Sequence, residues 1–482
     1  MDRASWVLIS GLLVGCGDAD ETSSDYALPE APRCAIAAPE PGALASEGSA
    51  LVDQHGRVVT LRGVNAGGRS KFAPYSPFDY ESGAFGAALA EYLDRAERWG
   101  FDVLRVPFSW EAVEPQQDSW DEEFLDRYDQ LLDAAWDRGM WTIVDFHQDI
   151  YAEAFCGDGF PAWTLTDPPA PHHDCPDWFL AYSTNDDVKA AFDAFWSDAS
   201  GARTEFAEMW EMMATRHADR AGVIGYEIIN EPSSGSASSF DWEQDVLSPF
   251  YTEYIERIQG HDADALVFFD ASGIQAVFPG TDMPRPEGSN IVFAPHFYDQ
   301  GALFGGDVNE NVRDPLAVWR DQGVDWDVPV LIGEFGVTAE HHQVREHALR
   351  MYEALDELGL HATWWEYSEA VELWNEEDLS LVGPAGDERA DMLAAVVRPY
   401  PRALAGRVAN SRFDGDRGHY ELTYDAASAA DGVSEIVLPT GLYEAEPRIG
   451  AQGACVDVQG DRLLVQSDPD ATEVAITVDR AE

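Results

Sequence analysis

Two glutamates close apolar, strand-like runs in this sequence: Glu231 in "VIGYEIINEP" and Glu334 in "VPVLIGEFG". A buried run that stops in Asn230-Glu231-Pro232 delivers an amide and a carboxyl to the rim of a sheet. Two carboxyl groups facing one another across a pocket can cleave an acetal, one protonating the leaving oxygen while the other meets the developing oxocarbenium ion. A separation of about 5 to 5.5 Å makes the second carboxylate a nucleophile and retains configuration, whereas about 6.5 to 9.5 Å leaves room for an inverting water. Further polar and aromatic residues lie on, or at and just beyond the ends of, comparable runs: Arg105 in "VLRVPF", Asp145, His147 and Asp149 in "IVDFHQD", His296 and Tyr298 in "FAPHFY", and Trp365 and Glu366 in "TWWEYS". Any one of these alone reads as a structural polar group; their recurrence at successive strand ends reads as one catalytic rim. No Cys-x-x-Cys or His-x-x-x-His spacing occurs, and His172-His173 sits in a Pro-rich loop without a third ligand. Neither a metal nor a cofactor is expected.

The elements that must position these groups can be read from the pattern. Apolar, β-branched runs bounded by turns recur eight times: 61–65, 103–108, 141–147, 223–230, 266–271, 290–296, 328–335 and 361–368. Most segments between them carry helical periodicity, clearest in "FGAALAEYLDRAERWG", "DEEFLDRYDQLLDAAWDRG" and "HHQVREHALRMYEALDELG", where Gly stops the helix. This alternation predicts a (β/α)8 TIM barrel over residues 50–398, with the rim residues at the C-terminal ends of its strands. A doubly wound open sheet is the alternative. Against it, "GVNAGGRSK" after the first strand is not G-x-G-x-x-G and opens a polar loop rather than a helix. After "VVRPYPRALAG" the sequence turns to short alternating segments such as "HYELTYDA" and "TEVAITVD", which predict a small β-sandwich over 399–482. Its few aromatic residues make it a structural partner of the barrel rather than an independent carbohydrate-binding module.

The 482 residues carry 89 acidic against 30 basic side chains, a formal charge of -59, which repels phosphate backbones and argues against a nucleic-acid partner. Near the start, one arginine and a short apolar run from Trp6 to Val14 precede Gly15-Cys16 and a polar stretch. Residues 1–16 read as a lipoprotein-type signal with Cys16 the lipidated residue, and 17–49 as a linker or extension. An ordinary cleaved signal, or a true start further upstream, is the alternative. The chain is thus expected to be exported, either held at the cell envelope or secreted. In such a compartment Cys34, Cys156, Cys175 and Cys455 are expected to form disulfides, and three pairings exist. Cys156 with Cys175 would close one local loop; Cys34 with Cys455 would then tie the start of the chain to its end.

Taken together, "NEP", "GEFG", "RVPFSW" and "HFY" resemble glycoside hydrolase family 5, retaining β-glycosidases on a (β/α)8 barrel. Within it, "LRGVN", "VDFHQDIY" and "VVRPYPRALAG" are similar to the endoglycoceramidase group, which releases glycans from ceramide and carries a C-terminal β-sandwich. The resemblance implies Glu334 as nucleophile, with Arg105 and Tyr298 holding it charged, and Glu231 as acid/base beside His296. It implies Asn230 on the sugar 2-hydroxyl, a grip on the sugar by Lys71, His147 and Asp149, and Trp365 as the stacking floor. A one-residue slip would give that floor to Trp364. Glu366 departs from the pattern, standing where a small polar residue is expected. The implied substrate is a glycosphingolipid or a related glycolipid; a membrane surface is expected as partner through the lipid anchor at Cys16, and the chain itself is expected to be a monomer. An ordinary β-1,4-glucanase or mannanase, and a catalytically silent carbohydrate-binding lipoprotein, are the competing readings. The aromatic-rich segment between the third and fourth strands, with Tyr151, Phe160, Trp163, Trp178 and Tyr182, is expected to form an apolar wall beside Glu231, helped by "DQGALFGG".

Overall fold

A computed structural model describes residues 28–369, 372–426 and 432–481, except for the side chain of Phe240. Cys16 and the signal segment lie outside the described residues. Eight short parallel strands form the central sheet: β1 (Arg62–Asn65), β2 (Val103–Phe108), β3 (Trp141–Phe146), β4 (Val223–Glu227), β5 (Leu266–Phe269), β6 (Ile291–Phe293), β7 (Leu331–Ile332) and β8 (His361–Trp364). Their order is β7-β8-β1-β2-β3-β4-β5-β6. A parallel bridge between Phe293 and Val330 joins β6 to β7, so the sheet closes and the open-sheet alternative falls away.

Amphipathic helices return the chain between most strands. They are α1 (Phe85–Trp99), α2 (Glu122–Trp136), α3 (Asp186–Trp196), α4 (Ala202–His217), α5 (Ser248–His261), α6 (Arg313–Trp326) and α7 (Val344–Leu358). Between β5 and β6 only a 3-10 turn at Gly273–Ala276 forms, because Pro279, Pro284 and Pro286 interrupt any longer helix. Gly100 stops α1 at φ 84, and a Cβ there would stand 2.7 Å from Pro439 of the C-terminal domain. This close approach, as well as the turn, requires glycine.

The C-terminal domain is a sandwich of two sheets. Gly406–Asp414, His419–Ala426, Glu473–Asp479 and Arg448–Gln452 form one antiparallel sheet. The other contains Tyr400–Leu404, Val433–Val437, Arg462–Ser467 and Ala454–Gln459, together with three strands from before the barrel: Leu44–Glu47, Ala50–Asp53 and Val58–Val59. Phe413, Tyr420, Ile436, Val465 and Ile476 fill the space between the sheets. The segment read as linker therefore supplies a paired strand. Leu44, Leu51 and Val59 pack with Val103, Ile143, Leu266 and Leu331, which closes the N-terminal end of the barrel with apolar side chains. Arg402 fastens the two domains: its guanidinium lies 4.1 Å from the Trp141 ring, donates to Gly139 O at 3.0 Å and pairs with Glu435 at 3.0 Å. Cys34–Cys455 and Cys156–Cys175 are both disulfides.

Candidate active site

At the C-terminal mouth of the barrel, strand β2 puts Arg105, 0% exposed, at the centre of a web of acceptors. Its Nε and Nη2 donate to the two carboxylate oxygens of Glu227, each at 2.8 Å. Nη1 donates to Asn65 Oδ1 at 2.9 Å and to Glu334 Oε1 at 2.7 Å, while Nη2 also reaches Asn230 Oδ1 at 2.9 Å. One planar guanidinium thus fixes the ends of β1, β4 and β7 relative to β2, as only a five-donor fork can.

Glu334 receives a second bond from the Tyr298 hydroxyl, 3.0 Å from Oε2. Glu231 faces it: one carboxylate oxygen of each, with a ring nitrogen of His296, lies within 4.8 Å of the others. That proximity matches the short gap of a retaining pair. His296 Nδ1 stands 2.9 Å from Glu231 Oε1 and 3.5 Å from Glu334 Oε2, between the two carboxyls. Burial pushes Glu231 up to about 8, with the nearby Asp149 charge adding to it. Burial lowers His296 to about 4, so at neutral pH a protonated acid sits beside a neutral imidazole. The backbone of Glu231 is held at φ 39, in the left-handed region, by a bond from its N–H to Asp270 at 3.1 Å and one from Gln148 Nε2 to its carbonyl at 3.0 Å.

On the other side of Glu334 lies a charged cluster. His147 Nδ1 is 2.9 Å from Asp145 and its Nε2 3.6 Å from Asp149. Burial alone would lower His147, but its bonds to these two carboxylates outweigh burial and push it up to about 10. Burial works against Asp149 too, yet the Lys71 ammonium, 2.6 Å away, holds its carboxyl below the usual range. Trp365 stacks against His147 at 5.1 Å and 10°, and its Nε1 donates to Glu377 at 2.5 Å. Trp364 points the other way, packing on Phe335 with its Nε1 bonded to Leu379 O, so of the two rings it is Trp365 that faces the His147 cluster. Asn230 is held by Arg105 and by its own Nδ2 bond to Gln148 O at 3.1 Å. Apart from Glu366, the residues singled out at the strand ends, and Lys71, are thus linked into one cluster at the barrel mouth.

A family model described as cellulase, glycosyl hydrolase family 5, matches residues 52–371. The chain belongs to glycoside hydrolase family 5. It is a retaining glycoside hydrolase, and the family's C-terminal domain matches residues 398–478. Endoglycoceramidase I of Rhodococcus hoagii is 27% identical over 465 residues, covering 90% of this chain and 86% of that protein. Endo-glycoceramidase II from Rhodococcus sp., solved in complex with ganglioside GM3, superimposes with a TM-score of 0.74 at 26% identity over 90% of this chain and 100% of that one. The same protein solved as a lactosyl-enzyme intermediate gives 0.73 at 26% identity, over 92% of this chain and 100% of that one.

In this family 5 site the loop between β3 and β4 supplies only part of the expected wall beside Glu231. Tyr151 and Phe160 stack on each other in the core at 4.1 Å, and Trp178 turns toward Lys71, 5.5 Å from its ammonium. Tyr182 stays beside the acid/base, its hydroxyl accepting at 3.2 Å from Gln148 Nε2, the group that also donates to the Glu231 carbonyl at 3.0 Å. An apolar rim lies on the loops after β5 and β6, where Ile274, Phe278, Leu303 and Phe304 are 41 to 67% exposed. Gln300 Nε2 ties these loops together by donating to Val277 O at 3.0 Å, and a Cβ at Gly273 would lie 3.2 Å from the Glu231 side chain. Glu366, the departure from the family pattern, is buried; its carboxylate accepts from the Gly68 N–H and from Ser368 Oγ, and so anchors the Gly68–Lys71 turn. Sequence reasoning missed Glu227, Asn65, Asp270, Glu377 and Trp374. A charged Glu227 inside the apolar run "VIGYE" was the one visible signal, since a buried carboxylate needs a partner.

Proposed function

We propose that this chain hydrolyses the β-glycosidic bond joining sugar to lipid in glycosphingolipids by double displacement. Glu334 attacks the anomeric carbon as the bond to the lipid oxygen breaks, and the Glu231 acid gives that oxygen its proton. A water, deprotonated by Glu231, then opens the glycosyl ester, releasing the sugar and freeing Glu334. Arg105 and Tyr298 keep Glu334 charged and aimed, and Asn230 has one amide hydrogen left for the sugar 2-hydroxyl. The observation that carries the lipid reading is the exposed apolar rim of Ile274, Phe278, Leu303 and Phe304 on the side of the acid/base, where the leaving group departs. Each lipid methylene covered there contributes roughly 0.8 kcal/mol. The similarity to endoglycoceramidases supports the same substrate class.

The reading is tested by assaying detergent-dispersed glycosylceramides beside soluble cellulose and mannan; turnover of the polysaccharides alone replaces it with the glucanase reading. Glu334→Gln is expected to lose activity on every substrate, and Glu231→Gln to keep more on donors whose leaving group needs no proton. The opposite pattern exchanges the two roles. Export is proposed as well, and the two disulfides support an oxidising compartment. With Cys16 as lipid attachment, Cys16→Ser moves the protein from the membrane to the soluble fraction; equal partitioning of both forms refutes the anchor.

A further inference from the structure

The leaving oxygen must lie against Glu231, so any additional sugar of the glycan extends the opposite way, past His147 and Trp365 toward Lys71. That end of the pocket is closed. The Lys71 ammonium, on a side chain 3% exposed, is held by Asp149 at 2.6 Å and Glu377 at 3.6 Å. Trp374 covers it at 4.1 Å, itself buried and packed edge-on against Trp178 at 4.9 Å. Behind these rings Asn375, also buried, clasps two loops: its Nδ2 donates to Cys156 O at 2.7 Å, its Oδ1 accepts from Cys175 N at 3.0 Å, and its own N–H donates to His173 O at 2.9 Å. The His173 ring stacks at 4.6 Å on Phe72, the residue after Lys71. Loops following β1, β3 and β8 are thus bonded to one another across the far end of the sugar site, and the disulfide holds the middle one in place.

We propose that this closure limits the glycone to a single β-linked hexose, so that the substrate is a monoglycosyl lipid and the products are a free hexose and the lipid alcohol. The inference rests on Glu231 being the acid/base, which sets the direction of the glycan. A second sugar would have to displace Trp374 and break the Asn375 clasp, a steric exclusion rather than a missing contact. The Rhodococcus protein solved as a lactosyl-enzyme intermediate and with ganglioside GM3 holds longer glycones than this limit admits.

The full chain is assayed on fluorescent β-glucosyl-, β-galactosyl- and lactosylceramide of one acyl length, and on the nitrophenyl β-glycosides of the same three sugars. The better monoglycoside is expected to exceed the lactoside roughly 100-fold in kcat/KM with both aglycones. A ratio below about tenfold, with lactose released, overturns the inference and leaves the lipid reading intact. Inactivity on all three ceramides with the aryl monoglycoside preference kept overturns the lipid reading and leaves the single-sugar limit standing. Asn375→Gly, which suits the φ of 47 at that position, removes the clasp and is expected to narrow the ratio about tenfold. An unchanged ratio in the folded variant overturns the role of the clasp; should that variant not fold, the wild-type ratio decides.

Discussion

Replacing Arg105 by lysine preserves the charge and removes the fork, which makes Arg105→Lys a direct test of the web at the barrel mouth. The arginine spends its five N–H groups on Glu227 twice, Asn65, Glu334 and Asn230. An ammonium offers three, so at least two of those bonds are lost. Each hydrogen bond to or from a charged group contributes about 1.5 to 3 kcal/mol, and the site is buried, so the expected loss is roughly 3 to 6 kcal/mol. It divides between two readouts. Whatever Glu227 and Asn65 lose appears as a lower urea midpoint at unchanged m, and whatever Glu334 and Asn230 lose appears as kcat/KM on an activated aryl β-glycoside, where about 1.4 kcal/mol is tenfold. The sum of the two, measured on one preparation, should fall in that range. A variant that loses less than about 1 kcal/mol in stability and keeps activity within about twofold would refute the claim that the fork organises the site.

The remaining expectations concern other groups. Because burial and Asp149 raise Glu231 to about 8 and the first step needs its acid form, kcat/KM should fall above that pH, and Asp149→Asn should move the limb downward; a limb near 4.5 in the wild type would contradict this. Burial pushes Glu366 up to about 7, so its folded form holds a proton that the unfolded chain, with an ordinary value of 4.5, gives up. Its contribution to stability is therefore present below 4.5 and lost as the pH rises through 7; Glu366→Gln should flatten that part of a urea-midpoint profile, which is unaltered if the carboxyl is not responsible. Cys455→Ser opens a crosslink spanning 421 residues and should lower stability by on the order of 5 kcal/mol without changing kcat at 25 °C, measured by denaturation and initial rates.

How much of this was legible depended on how far apart the cooperating residues lie. The rim residues could be read because each lies late in, or just after, an apolar strand run or, like Arg105, within one, and a closed barrel brings the C-terminal ends of its strands together without further information. The carboxylate partner Glu227 was hidden because it sits inside such a run, where alternation assigns a side but not a neighbour. The strand Leu44–Glu47 is hard to read because four residues around a Gly turn carry little pattern, and the sheet it edges is completed by residues more than 350 positions later. Apolar content in the loop after β3 was visible, but composition has no direction. The same loop sends Trp178 toward Lys71 and Tyr182 to Gln148 beside Glu231.

The joining of Cys34 to Cys455 across one sheet also determines where the molecule bears a load. The catalytic barrel lies wholly between these two residues, so the crosslink shunts tension applied before the first and after the second around it. A protein pulled at once from ahead of Cys34 and from beyond Cys455 would carry the load through its sandwich. The barrel would remain mechanically slack, and the spacing between Glu231 and Glu334, one carboxylate oxygen of each within 4.8 Å of the other, would be insulated from that tension.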